Sequence, residues 1–495
     1  MFGVTDDDIY ERLRFENPWW DENRALEAIR RLPRRTFLQP LLALVKLTTV
    51  RRAVVLLGPR RVGKTVMLQQ AVASLIDDGV PPGQVCYLAL DTPLYSKITL
   101  EKLLSIARAH GRLAPGAPAY FMLDEVQYLR DWEAHLKVLV DTEPSVRFVA
   151  SGSAAAALRR KSTESGAGRF TDFLLPALTF DEFLAFRGGQ TPDVLTPALR
   201  RLQQTDLGDR DMQALQPLDI EALNLQFVDY VNFGGYPEIV VSDTARANIA
   251  RFVKSDIVDM VLLRDLPTLY GIADIPELNS LFTMLAFNTG NELSLEALAK
   301  NSGVAKNTLK RYIDYLEAAF LAKRIERIDR SARRFVRVPN FKVYLTNAAM
   351  RAALFRPASP DDERFPFLAE TAFVGQANAF DASDHLHYAR WDAGEVDFVR
   401  LEPGSLRPIA VVEIKWSDRP LERSSELASL AAFLHYNGSG IEDVVVTTRT
   451  RSASQRLGEH QIRFVPTSIL CWRMGREAVH RVGLAPGERQ LPLPY

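Results

Sequence analysis

Cysteine is nearly absent, with two residues, Cys86 and Cys471, in a chain of 495. They lie far apart and each sits among apolar neighbours, which excludes a disulfide-stapled scaffold and leads us to expect reduced core thiols in a cytoplasmic protein. No CxxC pair and no Cys/His cluster at zinc spacing occurs, so nothing argues for structural zinc. Net charge is missing too. The 61 Lys and Arg balance 61 Asp and Glu, so any nucleic-acid contact has to come from a local patch. Long hydrophobic runs are lacking: the most apolar neighbourhood, residues 41–57, is broken by Lys46, Arg51 and Arg52, and no membrane span is expected. Asp6, Asp7 and Asp8 stand where a secretory leader would need basic and then apolar residues. There is no internal repeat.

What is present is ordinary for a folded protein, 47% hydrophobic and 25% charged, in a chain too long for one core, so two to four domains are expected. The most informative stretch is Ala53-Val-Val-Leu-Leu-Gly58-Pro-Arg60-Arg-Val-Gly63-Lys64-Thr65-Val66. An apolar β-branched run ends at one glycine, a second glycine precedes Lys-Thr, and a helical pattern follows. This is G-x-x-x-x-G-K-[ST] in the strand–loop–helix setting that the phosphate-binding loop requires. The two glycines let backbone N–H groups and a helix N-terminus face a polyphosphate. Gly58, Arg60, Gly63, Lys64, Thr65 and Val66 are the expected nucleotide-binding set. Lys64 supplies a cation for the β/γ-phosphates, and the Thr65 hydroxyl is a ligand for Mg²⁺.

A second strand is expected over 85–90, and a third, from Ala119, ends in Asp124-Glu125. Two carboxylates delivered at the C-terminal end of a buried parallel strand suit ATP hydrolysis, with Asp124 holding Mg²⁺ and Glu125 orienting and deprotonating the attacking water. The strand at 146–151 ends in Ser151, whose hydroxyl is placed to read a γ-phosphate. Arg169, flanked by glycine, is a candidate finger or sensor arginine, with a surface ion pair as the equal alternative. The tryptophans of Asn17-Pro18-Trp19-Trp20 are expected to pack the N-terminal helices onto the next domain.

From Leu178 to about Ile272 the pattern is helical, and 186–274 reads as a lid. Residues 275–330 read as a winged helix, with a short helix at 293–299, a turn at Asn301-Ser302-Gly303, and a second helix carrying the apolar stripe Leu309, Ile313, Leu316 and Phe320. Its other face presents Lys306, Asn307, Lys310 and Arg311, suited to phosphates and base edges of DNA. A basic run follows: Lys323, Arg324, Arg327, Arg330, Arg333, Arg334 and Arg337.

The last segment carries a second chemical pattern. Glu395-Val396-Asp397-Phe398 leads through a turn into a strand ending Glu413-Ile414-Lys415. If the two strands form a hairpin centred near Ser405, Asp397 falls opposite Glu413, and two opposed carboxylates call for a cation or a proton between them. Mg²⁺ or Mn²⁺ would satisfy them with hard oxygen ligands. Lys415 would activate water or stabilise a phosphate in flight, and Glu370 would add a carboxylate from a helix. The plainer alternative is an ion network in which Lys415 neutralises the acids.

Taken together, Asn17-Pro18-Trp19-Trp20, Gly58 to Thr65, Leu123-Asp124-Glu125-Val126-Gln127, Gly152-Ser153, Gly168-Arg169, Gly234-Gly235-Tyr236-Pro237-Glu238, Arg264-Asp265, Glu395-Val396-Asp397-Phe398 and Glu413-Ile414-Lys415 resemble a prokaryotic group. These are AAA-type ATPases followed by a winged helix and a C-terminal domain of uncharacterised function that is similar to restriction endonucleases. The resemblance implies an α/β protein with an AAA+-like P-loop NTPase sheet, a helical lid, a winged helix and a PD-(D/E)xK-like α/β domain. It puts Asp397, Glu413 and Lys415 in the catalytic positions of that last pattern. Val396 replaces the proline, and Tyr344-Leu-Thr346-Asn347 stands where such proteins often read Tyr-x-x-Asp.

The expected divisions are 1–50 (N-terminal helices), 51–185 (ATPase core), 186–274 (lid), 275–330 (winged helix) and 331–495 (nuclease-like domain). The expected function is ATP binding and hydrolysis coupled to DNA binding, with DNA cleavage at the C-terminal site left open. One alternative is a nucleotide-operated switch whose later domains only hold a DNA or protein partner. Another is a motor that assembles as a homo-oligomer and translocates on DNA.

Overall fold

The computed structural model describes residues 4–22, 26–47, 49–96, 98–110, 116–129, 131–152, 168–188, 218–332, 340–379 and 385–482. They fall into two compact units that divide between Pro176 and Ala177. The basic residues Arg333, Arg334 and Arg337 lie outside the described residues.

The first unit is built on a five-stranded, wholly parallel sheet. Its strands are β1 (Ala53–Leu57), β2 (Val85–Ala89), β3 (Ala119–Asp124), β4 (Val146–Gly152) and β5 (Phe170–Leu174), in the order β2-β3-β4-β1-β5. Every residue of β1 is buried, because a parallel strand covered on both faces needs a continuous apolar run. The strand after the phosphate-binding loop thus goes to the sheet edge as β2. It is β4 that separates β1 from β3 in space.

Helices flank this sheet: α1 (Asp6–Glu16), α2 (Leu38–Lys46), α3 (Lys64–Asp77), α4 (Leu100–His110) and α5 (Trp132–Thr142). The acidic triplet opens α1. Thr5 Oγ1 accepts from the Asp8 N–H and the Asp8 carboxylate accepts from the Thr5 N–H, a reciprocal cap at the positive end of the helix.

Asn17, Trp19 and Trp20 do more than pack. The edge strand β2 would otherwise expose unpaired backbone groups. The Asn17 side chain accepts from the Tyr87 N–H at 2.6 Å and donates to the Tyr87 carbonyl at 2.8 Å. Both indole N–H groups donate to the Val85 carbonyl at 3.0 Å. One short segment therefore closes the edge.

The second unit opens with α6 (Phe180–Phe186) and α7 (Ile220–Phe233). This division lies in the loop before α6, nine residues ahead of the one expected at 185/186. In the expected lid helix, Ala250–Asp259 and Val261–Asp265 wind as π-helix. Next come α8 (Ile275–Phe287), β6 (Glu292–Ser294), α9 (Leu295–Ser302), α10 (Lys306–Ala318), β7 (Ala322–Ile328) and β8 (Asn340–Leu345). These elements cover the residues read from the sequence as a winged helix. Leu309, Ile313 and Leu316 are buried as their spacing requires, whereas Phe320, also buried, lies beyond the end of α10 with φ 58° and does not belong to the helical stripe.

The remainder is α11 (Phe365–Ala379), β9 (Leu386–Trp391), β10 (Gly394–Leu401), β11 (Pro408–Glu413), α12 (Ala428–Asn437), β12 (Asp443–Thr448), β13 (Ala453–Leu457), β14 (His460–Pro466) and α13 (Thr467–Val482). The boundary expected at 330 does not coincide with a break. Strands β6 to β14 form one nine-stranded mixed sheet in the order β13-β14-β12-β11-β10-β9-β7-β8-β6. The join is the parallel pairing of β7 with β9, Glu326 to His387 through Ile328 to Ala389.

Candidate functional sites

The phosphate-binding loop is set by backbone geometry. Gly63, at φ 94°, is the left-handed residue from which α3 starts, and no side chain caps that helix. A helix start without a side-chain cap suits an anion. A β-carbon on Gly58 would meet the Leu175 carbonyl oxygen at 2.2 Å, so only glycine lets the end of β1 pass β5. From outside the loop, buried Arg35 donates to the carbonyls of Val62 (2.7 Å) and Pro176 (3.0 Å), pinning the loop to the end of β5. Arg60 and Val66 are half-buried, Arg60 in the loop and Val66 in the first turn of α3. The Lys64 ammonium bonds the carbonyls of Gly58 (3.0 Å) and Pro59 (2.7 Å).

Thr65 Oγ1 donates to Asp124 Oδ2 at 2.7 Å. The hydroxyl at the helix start and the carboxylate closing β3 thus meet, as the two motifs require. A hydroxyl beside a carboxylate is an all-oxygen donor pair that fits Mg²⁺, which takes few protein ligands and completes its shell with phosphate and water. Ser151 donates to Asp124 Oδ1 and accepts from the Glu125 N–H at 3.3 Å, so this hydroxyl is tied to the acidic pair. Glu125 sits in a left-handed turn with φ 57° and accepts from Gln127.

Arg169 forms the surface ion pair that was its equal alternative. It lies at the N-terminal end of β5, where its carbonyl accepts from the Ala53 N–H, and its guanidinium pairs with exposed Asp141 at 2.5 Å. The loop leaves the other end of β1, five residues away at ~3.3 Å each, so roughly 15 Å separates them. Arg169 cannot serve as a sensor for its own loop.

Sequence reasoning missed Tyr87, whose hydroxyl donates to Asp124 Oδ2 at 2.7 Å. The signal needs the strand pairing: Tyr87 lies beside Met122, and strand alternation places Met122 and Asp124 on one face, within reach of a long aromatic side chain.

In the second unit, β10 and β11 pair antiparallel with Phe398 opposite Val412 and Val399 opposite Val411, the register of a hairpin centred on Ser405. Asp397 and Glu413 are adjacent and buried. The Asp397 N–H donates to Glu413 Oε2 at 3.2 Å, and the Ile414 N–H donates to Asp397 Oδ2 at 2.9 Å. Lys415 Nζ lies 2.8 Å from Glu413 Oε1 and 3.6 Å from Asp397 Oδ2.

Glu370, from α11, accepts from the Tyr344 hydroxyl at 2.7 Å and lies 3.8 Å from Lys342 Nζ. Burial, then the negative charge of Asp397, pushes Glu370 up to about 8 and Glu413 up to about 7. Burial alone would lower Lys342 and Lys415, but the surrounding carboxylates raise both. The ion network expected as the plainer alternative is therefore what the side chains form. Among the described residues no group of three or more His, Cys, Asp or Glu side chains is gathered as a metal-holding set.

Lys342 was also missed, although a lysine inside Phe341-Lys342-Val343-Tyr344-Leu345 is an anomaly that asks for a buried partner. It bonds Glu395 at 2.7 Å. Cross-strand partners share a face. The pairs Glu292–Lys342, Ile325–Lys342, Arg327–Tyr388 and Glu395–Arg390 therefore place Glu292, Lys342, Arg327, Arg390 and Glu395 on one face from β6 to β10. Contacts Arg327–Glu292, Arg390–Glu292 and Arg390–Glu395 link them.

Asn347 explains the departure from Tyr-x-x-Asp. Its Nδ2 donates to the Gly234 carbonyl at 3.3 Å while its Oδ1 accepts from the Ala349 N–H at 3.0 Å. An ionised aspartate has no donor for the first bond.

On α10, Lys306, Asn307, Lys310 and Arg311 are exposed. Lys306 pairs with Glu296 at 2.8 Å. Among the described residues no helix is long and apolar enough to cross a membrane.

Residues 50–184 match the model of an AAA domain, and residues 224–361 match a domain of unknown function. The second match runs across the boundary expected at 330. An uncharacterized protein of Haemophilus influenzae is 22% identical over 354 residues, covering 70% of this chain and 78% of its own length. An uncharacterized protein of Methanocaldococcus jannaschii is 25% identical over 286 residues, covering 55% of this chain, which spans 56% of that relative. Among solved structures, a Walker-type ATPase of Pyrococcus abyssi is similar at 13% identity and TM-score 0.38, covering 64% of this chain and 94% of that one. Cdc6p of Pyrobaculum aerophilum is similar at 14% identity and TM-score 0.25, covering 66% and 93%.

Proposed function

We propose that this chain is an ATPase that binds DNA, with its phosphate-binding loop as the catalytic site. The observation that carries the reading is the 2.7 Å bond between Thr65 Oγ1 and Asp124 Oδ2, which brings the loop and the acidic pair into one site. The AAA-domain match over 50–184 supports it. Lys64 leaves two loop carbonyls for the β/γ-phosphates, while the N–H groups at the start of α3 hold the remaining charge. Thr65 and Asp124 would hold Mg²⁺, which would supply charge neutralisation at the transferring phosphoryl group. Glu125 accepts the proton of the attacking water, and Ser151 keeps the acidic pair in register. Lys64→Ala and Asp124→Asn are each expected to abolish ATP turnover in the full-length protein. A wild-type turnover rate surviving in either variant overturns the assignment.

DNA binding is assigned to the exposed face of α10, through Lys306, Lys310 and Arg311. In the second unit the Asp397–Glu413–Lys415 cluster has the residue types of a Mg²⁺- or Mn²⁺-dependent phosphodiesterase. A second reading has a specific observation in its favour. Lys342 and Lys415 already neutralise the carboxylates, which suits a nucleotide-operated switch whose second unit holds a DNA or protein partner without cutting. Nicking of supercoiled DNA in Mn²⁺ by the full chain, lost in Asp397→Ala and Lys415→Ala, selects the nuclease. Absence of nicking in wild type selects the switch.

A further inference from the structure

We infer that Tyr87 is a positioning residue of the nucleotide site: its phenol locks the Asp124 carboxylate in the orientation that turns the Thr65 hydroxyl toward a divalent cation. The inference rests on the ATP-site reading above and goes beyond it by bringing in a strand outside both motifs.

A carboxylate oxygen offers two lone pairs. On Asp124, Oδ2 receives the hydroxyls of Thr65 and Tyr87, each at 2.7 Å, and Oδ1 receives Ser151. Rotation about the Asp124 Cβ–Cγ bond would break all three bonds, so the group is held from three elements, α3, β2 and β4. Thr65 spends its single proton on Oδ2, which leaves its lone pairs for a cation.

Tyr87 is itself fixed. Its ring is buried, and the Asn17 side chain bonds both its N–H and its carbonyl, so the strand cannot slip along the sheet. A phenylalanine would fill the same volume with no hydroxyl to satisfy in a buried place, so the polar group is there for the contact it makes. Partners of metal-associated carboxylates orient the ligand, and losing one typically weakens metal affinity about 10–100-fold.

The test uses the full-length protein with a non-hydrolysable ATP analogue. Mn²⁺ is titrated by electron paramagnetic resonance, and analogue affinity is measured separately in EDTA. Tyr87→Phe is expected to weaken Mn²⁺ binding roughly ten-fold or more while leaving analogue affinity in EDTA unchanged, a split that a loss of packing would not produce. Asn17→Ala keeps the phenol but releases its strand. It is the second variant should Tyr87→Phe fail to fold, and it is expected to weaken Mn²⁺ in the same direction. Unchanged Mn²⁺ affinity in folded Tyr87→Phe, or in Asn17→Ala where only that variant folds, overturns the inference and leaves the ATP site standing. Failure of the wild type to bind the analogue brings down the ATP site and the inference together.

Discussion

At Gly58 the constraint is a single atom. A β-carbon there would overlap the Leu175 carbonyl oxygen at 2.2 Å, and because that oxygen belongs to backbone the strand pair has to separate. Gly58→Ala is therefore expected to lose nucleotide binding and to destabilise the first unit by roughly 1–3 kcal/mol, read by fluorescent-nucleotide titration and urea melting. Full binding with an unshifted melt would show the contact to be slack.

The carboxylate cluster makes a prediction about pH. Glu370 stands at about 8 and Glu413 at about 7, both above the ordinary 4.5, in an environment of Asp397, Lys342, Tyr344 and Lys415. The folded state holds these protons more tightly than the unfolded chain. The stability they confer is complete below about pH 4.5 and is lost as pH rises through about 7 to 8. In EDTA, the second unit should melt lower at about pH 8.5 than at about pH 6, and Glu370→Gln should flatten the upper part of that slope. A melting temperature that rises across the interval contradicts it.

At the scale of elements, the edge strand β2 depends on residues 70 positions earlier in the chain. Asn17→Ala leaves the buried N–H and carbonyl of Tyr87 without partners, at a cost of about 1–3 kcal/mol each, and denaturant unfolding should show it. The helix α10 divides its labour by face. Leu309, Ile313 and Leu316 are buried whereas Lys310 and Arg311 are exposed. Replacing both cations by alanine should weaken DNA binding and reduce the slope of log affinity against log salt by about two, with basal ATP turnover unchanged. DNA affinity indifferent to both changes would remove α10 from the interface.

Much at this scale was legible. The stripe Leu309, Ile313 and Leu316 follows from 3.6-residue periodicity, and the closeness of Asp397 and Glu413 follows from a hairpin centred on Ser405, although a register shift between Arg400 and Leu401 interrupts the ladder nearer the turn. Tyr87 and Lys342 escaped because each acts across a strand pairing whose register lies outside its own segment. Arg169 was left open between two roles because a flanking glycine says nothing about which end of a sheet a turn occupies.

For the molecule as a whole, the nine-stranded sheet changes what counts as a separable piece. A fragment 331–495 lacks β7, the parallel partner of β9, and Arg327, whose guanidinium donates to the Arg390 carbonyl at 3.2 Å. It should be poorly folded, whereas a fragment 177–482 that keeps the sheet intact should melt cooperatively. Comparing their thermal unfolding checks this, and a cooperative melt of 331–495 would restore the boundary near 330.

The chain's own order of residues determined the local chemistry: the loop from Gly58 to Thr65, the acidic end of β3, the amphipathic α10 and the hairpin that joins Asp397 to Glu413. Each needs only short-range geometry, a strand's period of two, a helix's 3.6, or a glycine's freedom of φ. Tertiary structure alone decided that β2 delivers Tyr87 to Asp124, that Asn17 closes the sheet edge, and that Lys342 reaches from β8 into the carboxylate cluster. Those contacts are set by which strands lie side by side, and strand order is chosen by burial of the whole core rather than by any one segment.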